Sequence, residues 1–187
     1  VSHYHADHCD AIPELRRRFG AKAWLHPRLA RILRNPAAYD LPWAPAWPIR
    51  ADGTWPERGV WRWNEFAFRV AHWPGQTWWH CVFMAAIAGR KVLFGGDSFQ
   101  PPSRWNGTGG FCAYNRSRFR EGYVPTARLA LAWKPDLIAA GHATCCHFAP
   151  SYFRKAIRWA AAAEKAVRDL CPSGSLERDY YGAFPLA

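Results

Sequence analysis

Three imidazoles and a carboxylate, His3, His5, Asp7 and His8, fall within six positions in the pattern His-x-His-x-Asp-His. In an extended segment successive side chains alternate in direction, so His3 and His5 face the same way. A turn at Ala6 would let Asp7 and His8 face a second point close to the first. Neutral imidazole nitrogen and carboxylate oxygen suit zinc, iron or manganese, so the pattern predicts a pair of neighbouring metal sites. A purification tag or a weak surface chelator is the bland alternative for a histidine-rich tract. Tags, however, are unbroken histidine runs, and this segment alternates.

Further ligands are expected from elsewhere in the chain, at the ends of strands. Gln76 to His80 follow Pro74-Gly75, Asp97 follows Gly95-Gly96, and His142 follows Gly141, each after an apolar stretch. Metal and substrate sites of layered α/β folds gather at such strand-end loops. The elements that must position them read as follows. Asp10 is placed to cap a helix through about Phe19, with Pro13 in its first turn and Gly20 stopping it. Residues 21–26 read as a strand ended by Pro27, and 29–33 as one or two helical turns. One hairpin spans 60–64 and 66–72, turning near Asn64-Glu65. A second spans 78–88 and 91–94 across Gly89-Arg90. Helices over 125–133 and 151–170 flank a short strand at 137–140. Strands alternate with helices and two hairpins intervene, so the expectation is an α/β fold with a mixed sheet.

Two long irregular segments, 35–58 and 98–123, are the natural places for substrate selection. Trp43, Trp47 and Trp55 in the first, with Trp105, Phe111 and Tyr114 in the second, could form an aromatic wall, or could simply pack the loops onto the sheet. Arg104, Asn106, Arg116 and Arg118 could meet an anionic group. The run from Pro101 to Gly110 is distinctive but names no substrate.

The chain has 187 residues, half of them apolar, and twelve Trp, enough for one globular domain spanning 1–187. No apolar run approaches the roughly 20 residues of a membrane helix. The net charge of +11 could mark a nucleic-acid surface, but the arginines are scattered. The cluster Arg16-Arg17-Arg18 reads better as a solvated helix face, so a nucleic-acid partner is not favoured. The six cysteines show no C-x-x-C pair. They are expected to be reduced, in keeping with a cytoplasmic protein. The chain opens on Val1 and directly on the ligand pattern, so preceding sequence is expected.

Four motifs in order, His-x-His-x-Asp-His at 3–8, Pro74-Gly75-Gln76-Thr77, Phe94-Gly95-Gly96-Asp97 and Ala140-Gly141-His142, resemble the metallo-β-lactamase superfamily of metal-dependent hydrolases. The likeness covers essentially the whole chain. It implies a four-layer αββα sandwich, here lacking its first N-terminal strands, with a dinuclear site at one edge of the paired sheets. Carried over by position, His3 and His5 would hold one metal ion, Asp7, His8 and His142 a second, and Asp97 would bridge them. The cofactors implied are two divalent ions, zinc foremost, with iron or manganese as alternatives. The departure is Gln76, which stands where the family places a histidine. Gln76 could ligate through its amide oxygen, His80 or His72 could swing in, or the site could work with one metal ion.

The resemblance implies a hydrolase in which a metal-activated water attacks the ester, thioester or lactone of a small-molecule substrate, with Asp7 and Asp97 in the reaction centre. No protein nucleophile is required, and neither Ser98 nor Cys81 is read as one. The competing readings are a nuclease or phosphodiesterase of the same fold and a mononuclear iron redox enzyme similar to sulfur dioxygenases. A non-catalytic relic is disfavoured by the intact Asp97 and His142. Oligomeric state and substrate identity are not legible.

Overall fold

The structure, a computed structural model, describes residues 1–99, 118–142 and 145–181. His5 is extended (φ −61°, ψ 144°), and the chain then turns at Ala6 into a one-turn helix α1 (Ala6–Cys9), followed by α2 (Ile12–Phe19). Gly20 stops α2 in the left-handed conformation (φ 61°), where a side chain would be penalised. Asp10 does not cap α2: it closes α1, its N–H on the Ala6 carbonyl at 2.7 Å, and Ala11 precedes α2. The extra turn of helix at the ligand pattern has claimed the residue that sequence reasoning gave to the next one.

The expected strand over 21–26 shortens to β1 (Trp24–Leu25), because Pro27 starts α3 (Pro27–Arg34) immediately afterwards. His26 caps that helix, its Nδ1 accepting the Arg28 N–H at 3.2 Å. β1 pairs in parallel with β2 (Gly53–Thr54) as a small sheet of its own.

The second sheet places Asp97 and His142 at the ends of its strands. It comprises β3 (Arg58–Trp63), β4 (Phe66–His72), β5 (Cys81–Ile87), β6 (Arg90–Gly96), β7 (Leu137–Ala140) and β8 (Cys146–His147), hydrogen-bonded in that order. All pairings are antiparallel except β6 with β7. The β5–β6 turn falls on Ala88-Gly89 (φ 48° and 75°), one residue earlier than expected. Two consecutive left-handed residues match the twist of the flanking strands. β5 begins at Cys81, not at Trp78. Trp79 leaves the sheet to pack on Tyr4 at 5.9 Å between centroids, which pulls 76–80 into a loop. The parallel β6–β7 connection crosses through helix α4 (Val124–Trp133), preceded by a π-helical turn at Phe119–Tyr123, as parallel neighbours require. Helix α5 (Pro150–Leu170) follows β8.

Alternation along β5 sorts the layers. Val82 and Met84 join Leu93, Ile138, Phe153 and Ala130 in a core under α4 and α5. Cys81 and Phe83 face the other way and pack with Val70, Trp55 and Trp24 between the two sheets. A third cluster, Tyr4, Leu25, Leu29 and Leu33, fills the space under α1–α3. The order is helices, small sheet, large sheet, helices: an α/β sandwich. β3 lies at one edge of the large sheet among the described residues, with exposed Arg58, Arg62, Val60 and Trp63 and with Gly59 at φ 114°. The segment after α5 folds back as a second π-helical turn, Glu177–Tyr181, onto Phe119.

Candidate metal centre

Two groups of three ligand atoms converge, each within 4.8 Å of one another: His3, His5 and Asp97, all buried, and Asp7, His8 and His142, nearer solvent. Asp97 joins them. Its Oδ2 lies 3.1 Å from His142 Nε2 and 3.7 Å from His3 Nε2, and its Oδ1 lies 3.3 Å from His8 Nε2. Asp7 Oδ2 is 3.1 Å from His142 Nε2 and 3.6 Å from His8 Nε2. His3 and His5 come from the segment that leads into α1, Asp7 and His8 from α1 itself, Asp97 from the end of β6 and His142 from the end of β7. The parallel pairing of these last two strands brings Asp97 and His142 together, with Gly141 N–H on the Gly96 carbonyl at 2.8 Å.

The residues fit a metal ion on three counts. His3 Nε2 is buried without a hydrogen-bond partner among the described residues, at a cost of about 1–3 kcal/mol unless something fills the gap, and His8 Nε2 and Asp97 Oδ1 face each other at 3.3 Å without a well-formed hydrogen bond. The donor set is imidazole and carboxylate, right for a first-row divalent cation. The space is kept open by glycine: a Cβ on Gly141 would lie 2.2 Å from Asp97 Oδ1 and 3.0 Å from His8 Cε1.

Burial, and then the surrounding imidazoles of His80, His8, His5 and His142, hold the His3 pKa well below the usual histidine range. Its ring is therefore neutral at physiological pH, the form that binds metal. Burial also opposes charge on His8, but the adjacent Asp97 and Asp7 outweigh it and raise its pKa. Burial works against ionisation of Asp97, while His8, His142 and His80 win and hold the carboxyl below its ordinary value.

Of the eight sequence-predicted ligands, six supply the two groups. Gln76 also reaches the cluster, its Nε2 donating to Asp97 Oδ2 at 3.3 Å. His80 is fully buried beside the site, but its Nε2 accepts the main-chain N–H of Asp97 at 3.1 Å. His72 turns away, its Nε2 on the Trp78 carbonyl and its ring 5.6 Å from that of His26.

One residue near the site, Ser2, was missed in the sequence. Ser2 Oγ lies 3.0 Å from His3 Nδ1 and 3.5 Å from His8 Nδ1. A hydroxyl that accepts from both outer nitrogens leaves both Nε2 lone pairs facing inward, the arrangement that supports metal-bound histidines. A hydroxyl one position before His3 was the available signal. Ser98 Oγ accepts Gln76 N–H at 3.2 Å and donates to the Trp73 carbonyl at 3.4 Å, so its hydroxyl ties the 73–76 loop to the end of β6. Burial raises the thiol pKa of Cys81, and that of Cys9 to about 12, leaving both protonated.

Trp43 stands at the mouth, half exposed, with its ring 5.3 Å from His5 and its carbonyl accepting Ala6 N–H at 2.8 Å. Trp55, by contrast, is core. Arg118 is no anion receptor: it pairs with Glu177 at 2.6 Å and Glu121 at 3.0 Å and lies over Tyr181. Arg104, Trp105, Asn106, Phe111, Tyr114, Arg116 and the 101–110 run lie outside the described residues. A crevice of about 590 Å³ between β4 and α4, lined by Arg58, Arg69, Trp78 and Trp133, includes none of the six converging ligands. The ligand atoms, not that crevice, locate the chemistry.

A family model described as the metallo-beta-lactamase superfamily matches residues 1–142. Among solved structures, a Cronobacter sakazakii metallo-beta-lactamase with a HARLDQ motif aligns at TM-score 0.64 and 13% identity, covering 90% of this chain and 71% of that one. A beta-lactamase from Chitinophaga pinensis aligns at TM-score 0.57 and 18% identity over 90% and 70% of the two chains. A B3 metallo-beta-lactamase with an active-site glutamic acid gives 0.65 and 20% over 88% and 68%. At such identities the likeness is one of fold. No curated protein matches.

Proposed function

This chain belongs to the metallo-beta-lactamase superfamily, and from that premise we propose that it is a hydrolase working with two divalent metal ions, zinc foremost, on an acyl bond of a small molecule. The bond class is ester, thioester or lactone, with β-lactam added because the similar solved structures are titled beta-lactamases. The observation that carries the reading is the place of Asp97, whose two oxygens reach ligands of both groups.

His3, His5, Asp97 and Gln76 would hold the buried ion; Asp7, His8 and His142 would hold the outer one, with Asp97 shared. Bound divalent cations supply an acidified water and an electrophile for the substrate carbonyl oxygen. The chain's own part is to orient and exclude. Asp97 lowers the repulsion between two positive charges. Asp7, about half exposed beside His142, is placed to accept a hydrogen bond at Oδ from a water entering from solvent. Trp43 shields the His5 side of the mouth. The phosphodiesterase alternative weakens because Arg16, Arg17, Arg18 and Arg118 are engaged in ion pairs with Asp52, Glu14 and Glu177.

The test is metal content by elemental analysis on the purified protein, followed by a panel of esters, thioesters, lactones, β-lactams, phosphodiesters and RNA. Two equivalents of zinc with acyl hydrolysis support the reading. One equivalent of iron, or phosphodiester cleavage alone, would replace it.

A further inference from the structure

His80 is the fully buried imidazole at the centre that joins neither ligand group. The β5–β6 register, carried three steps past its last pair, Phe83 with Phe94, sets His80 opposite Asp97. There the ladder fails: Gly96 turns into the left-handed region (φ 47°) and the β6–β7 pairing is irregular between Phe94 and Gly96. The His80 carbonyl is already taken by Trp73 N–H at 2.8 Å. The Asp97 N–H, left without a strand partner, finds the ring of His80 instead, at 3.1 Å from Nε2. The fit admits no other residue at position 96, where a Cβ would lie 2.4 Å from that nitrogen. On its other side the ring stacks on His3, centroids 5.0 Å apart and planes at 25°.

We infer that His80 is a positioning residue, whose Nε2 accepts the main-chain N–H of Asp97 and so aims the Asp97 carboxylate at the imidazoles of His3, His8 and His142. The inference rests on the metal centre proposed above. A nitrogen that accepts an N–H has spent its lone pair and does not ligate a cation. The ring proton must then be on Nδ1, which is buried and has no hydrogen-bond partner among the described residues. An unpaired buried donor is costly, and such costs are tolerated where a site requires the geometry.

The tests use the full chain. In metal-free wild type, ¹⁵N chemical shifts of the His80 ring should report the Nδ1–H tautomer; an Nε2–H tautomer would overturn the inference. This measurement needs no metal, so it decides the matter even where zinc binding, and with it the proposed function, fails. His80→Leu should weaken zinc binding by about 10- to 100-fold, the usual effect of losing a group that orients a ligand. His80→Gln, whose amide oxygen can take the place of Nε2, should stay within about threefold of wild type. X-ray absorption on the zinc-loaded proteins should show the same imidazole count in wild type and His80→Gln. A count lower by one in His80→Gln would make His80 a ligand, and unchanged affinity in a folded His80→Leu would leave it no part in the site. Either result overturns the inference.

Discussion

Replacing Ser2 by alanine should weaken zinc binding about tenfold while leaving the fold in place. The hydroxyl touches two ligands by their outer nitrogens, His3 Nδ1 at 3.0 Å and His8 Nδ1 at 3.5 Å. A net hydrogen bond contributes about 1 kcal/mol, and one at the long limit contributes a fraction of that. Together they amount to about 1–1.5 kcal/mol, or roughly a 5- to 12-fold change in affinity, the lower edge of what outer partners of metal-bound histidines supply. The main-chain tie of Ser2, its carbonyl accepting Cys81 N–H at 2.7 Å, survives the substitution. Apo stability should therefore shift by no more than about 0.5 kcal/mol. Competition against a chromophoric chelator measures the affinity, and urea unfolding in chelator measures the stability. A change in zinc affinity below twofold, with the fold intact, would refute the idea that Ser2 sets the ring orientation. A fall in stability that matches the fall in affinity would show Ser2 to be structural only.

Asp97→Ala should abolish metal binding and turnover together, with affinity down at least about a hundredfold, more than an outer partner costs; full metal stoichiometry in this variant, seen by elemental analysis, would remove Asp97 from the bridging position. Gln76→His should tighten the buried ion by about tenfold in a zinc titration, imidazole being the better donor for zinc; unchanged affinity would place residue 76 outside the coordination sphere. His26 has its pKa lowered to about 4, by burial first and then by His72. A base whose folded pKa is depressed costs stability as pH falls, so stability should drop between about pH 6.5 and 4 as the unfolded chain takes up the proton first. His26→Asn keeps a capping acceptor without the titration and should flatten that slope in urea melts; identical slopes would refute the assignment. Arg118→Ala should cost about 1–3 kcal/mol by urea unfolding, since it removes a half-exposed ion pair to Glu177 and the stack on Tyr181; Arg118→Lys should not restore it, and a full rescue by lysine would reduce the contact to charge alone.

Much of this fold was legible because its local signals agree with its long-range packing. Gly20, Asn64 and the alternation of both hairpins mark chain reversals that the structure keeps. The helices over 124–133 and 150–170 follow their apolar spacing. The ligand pattern could be read because four donors of the right chemistry are clustered within residues 3–8 and two more stand at strand ends, and the parallel β6–β7 pairing then brings Asp97 and His142 to the cluster. What failed to show was set by contacts between distant segments. Trp79 belongs to the core under α1–α3, a fact nothing in the string Trp78-Trp79-His80 announces, and its departure shortens β5. His80 looks like a ligand by composition, yet its nitrogen is claimed by a main-chain N–H freed by a local irregularity in another strand. Arg118 looks like an anion receptor until the chain beyond α5 folds back and supplies Glu177. In each case the residue type was informative, and the partner was decided by topology.

The rim of the large sheet carries a consequence for how molecules meet in solution. Among the described residues no strand pairs with the outer side of β3, where Val60 and Trp63 are uncovered, and such an edge is a template for a second copy to add to. Along β3 those two residues are interleaved with Arg58 and Arg62, while Gly59 at φ 114° bends the ribbon out of flat register. Two such rims brought together would set guanidinium groups against each other. Part of the surplus that makes this a +11 chain thus stands where its repulsion would work against such edge-to-edge pairing.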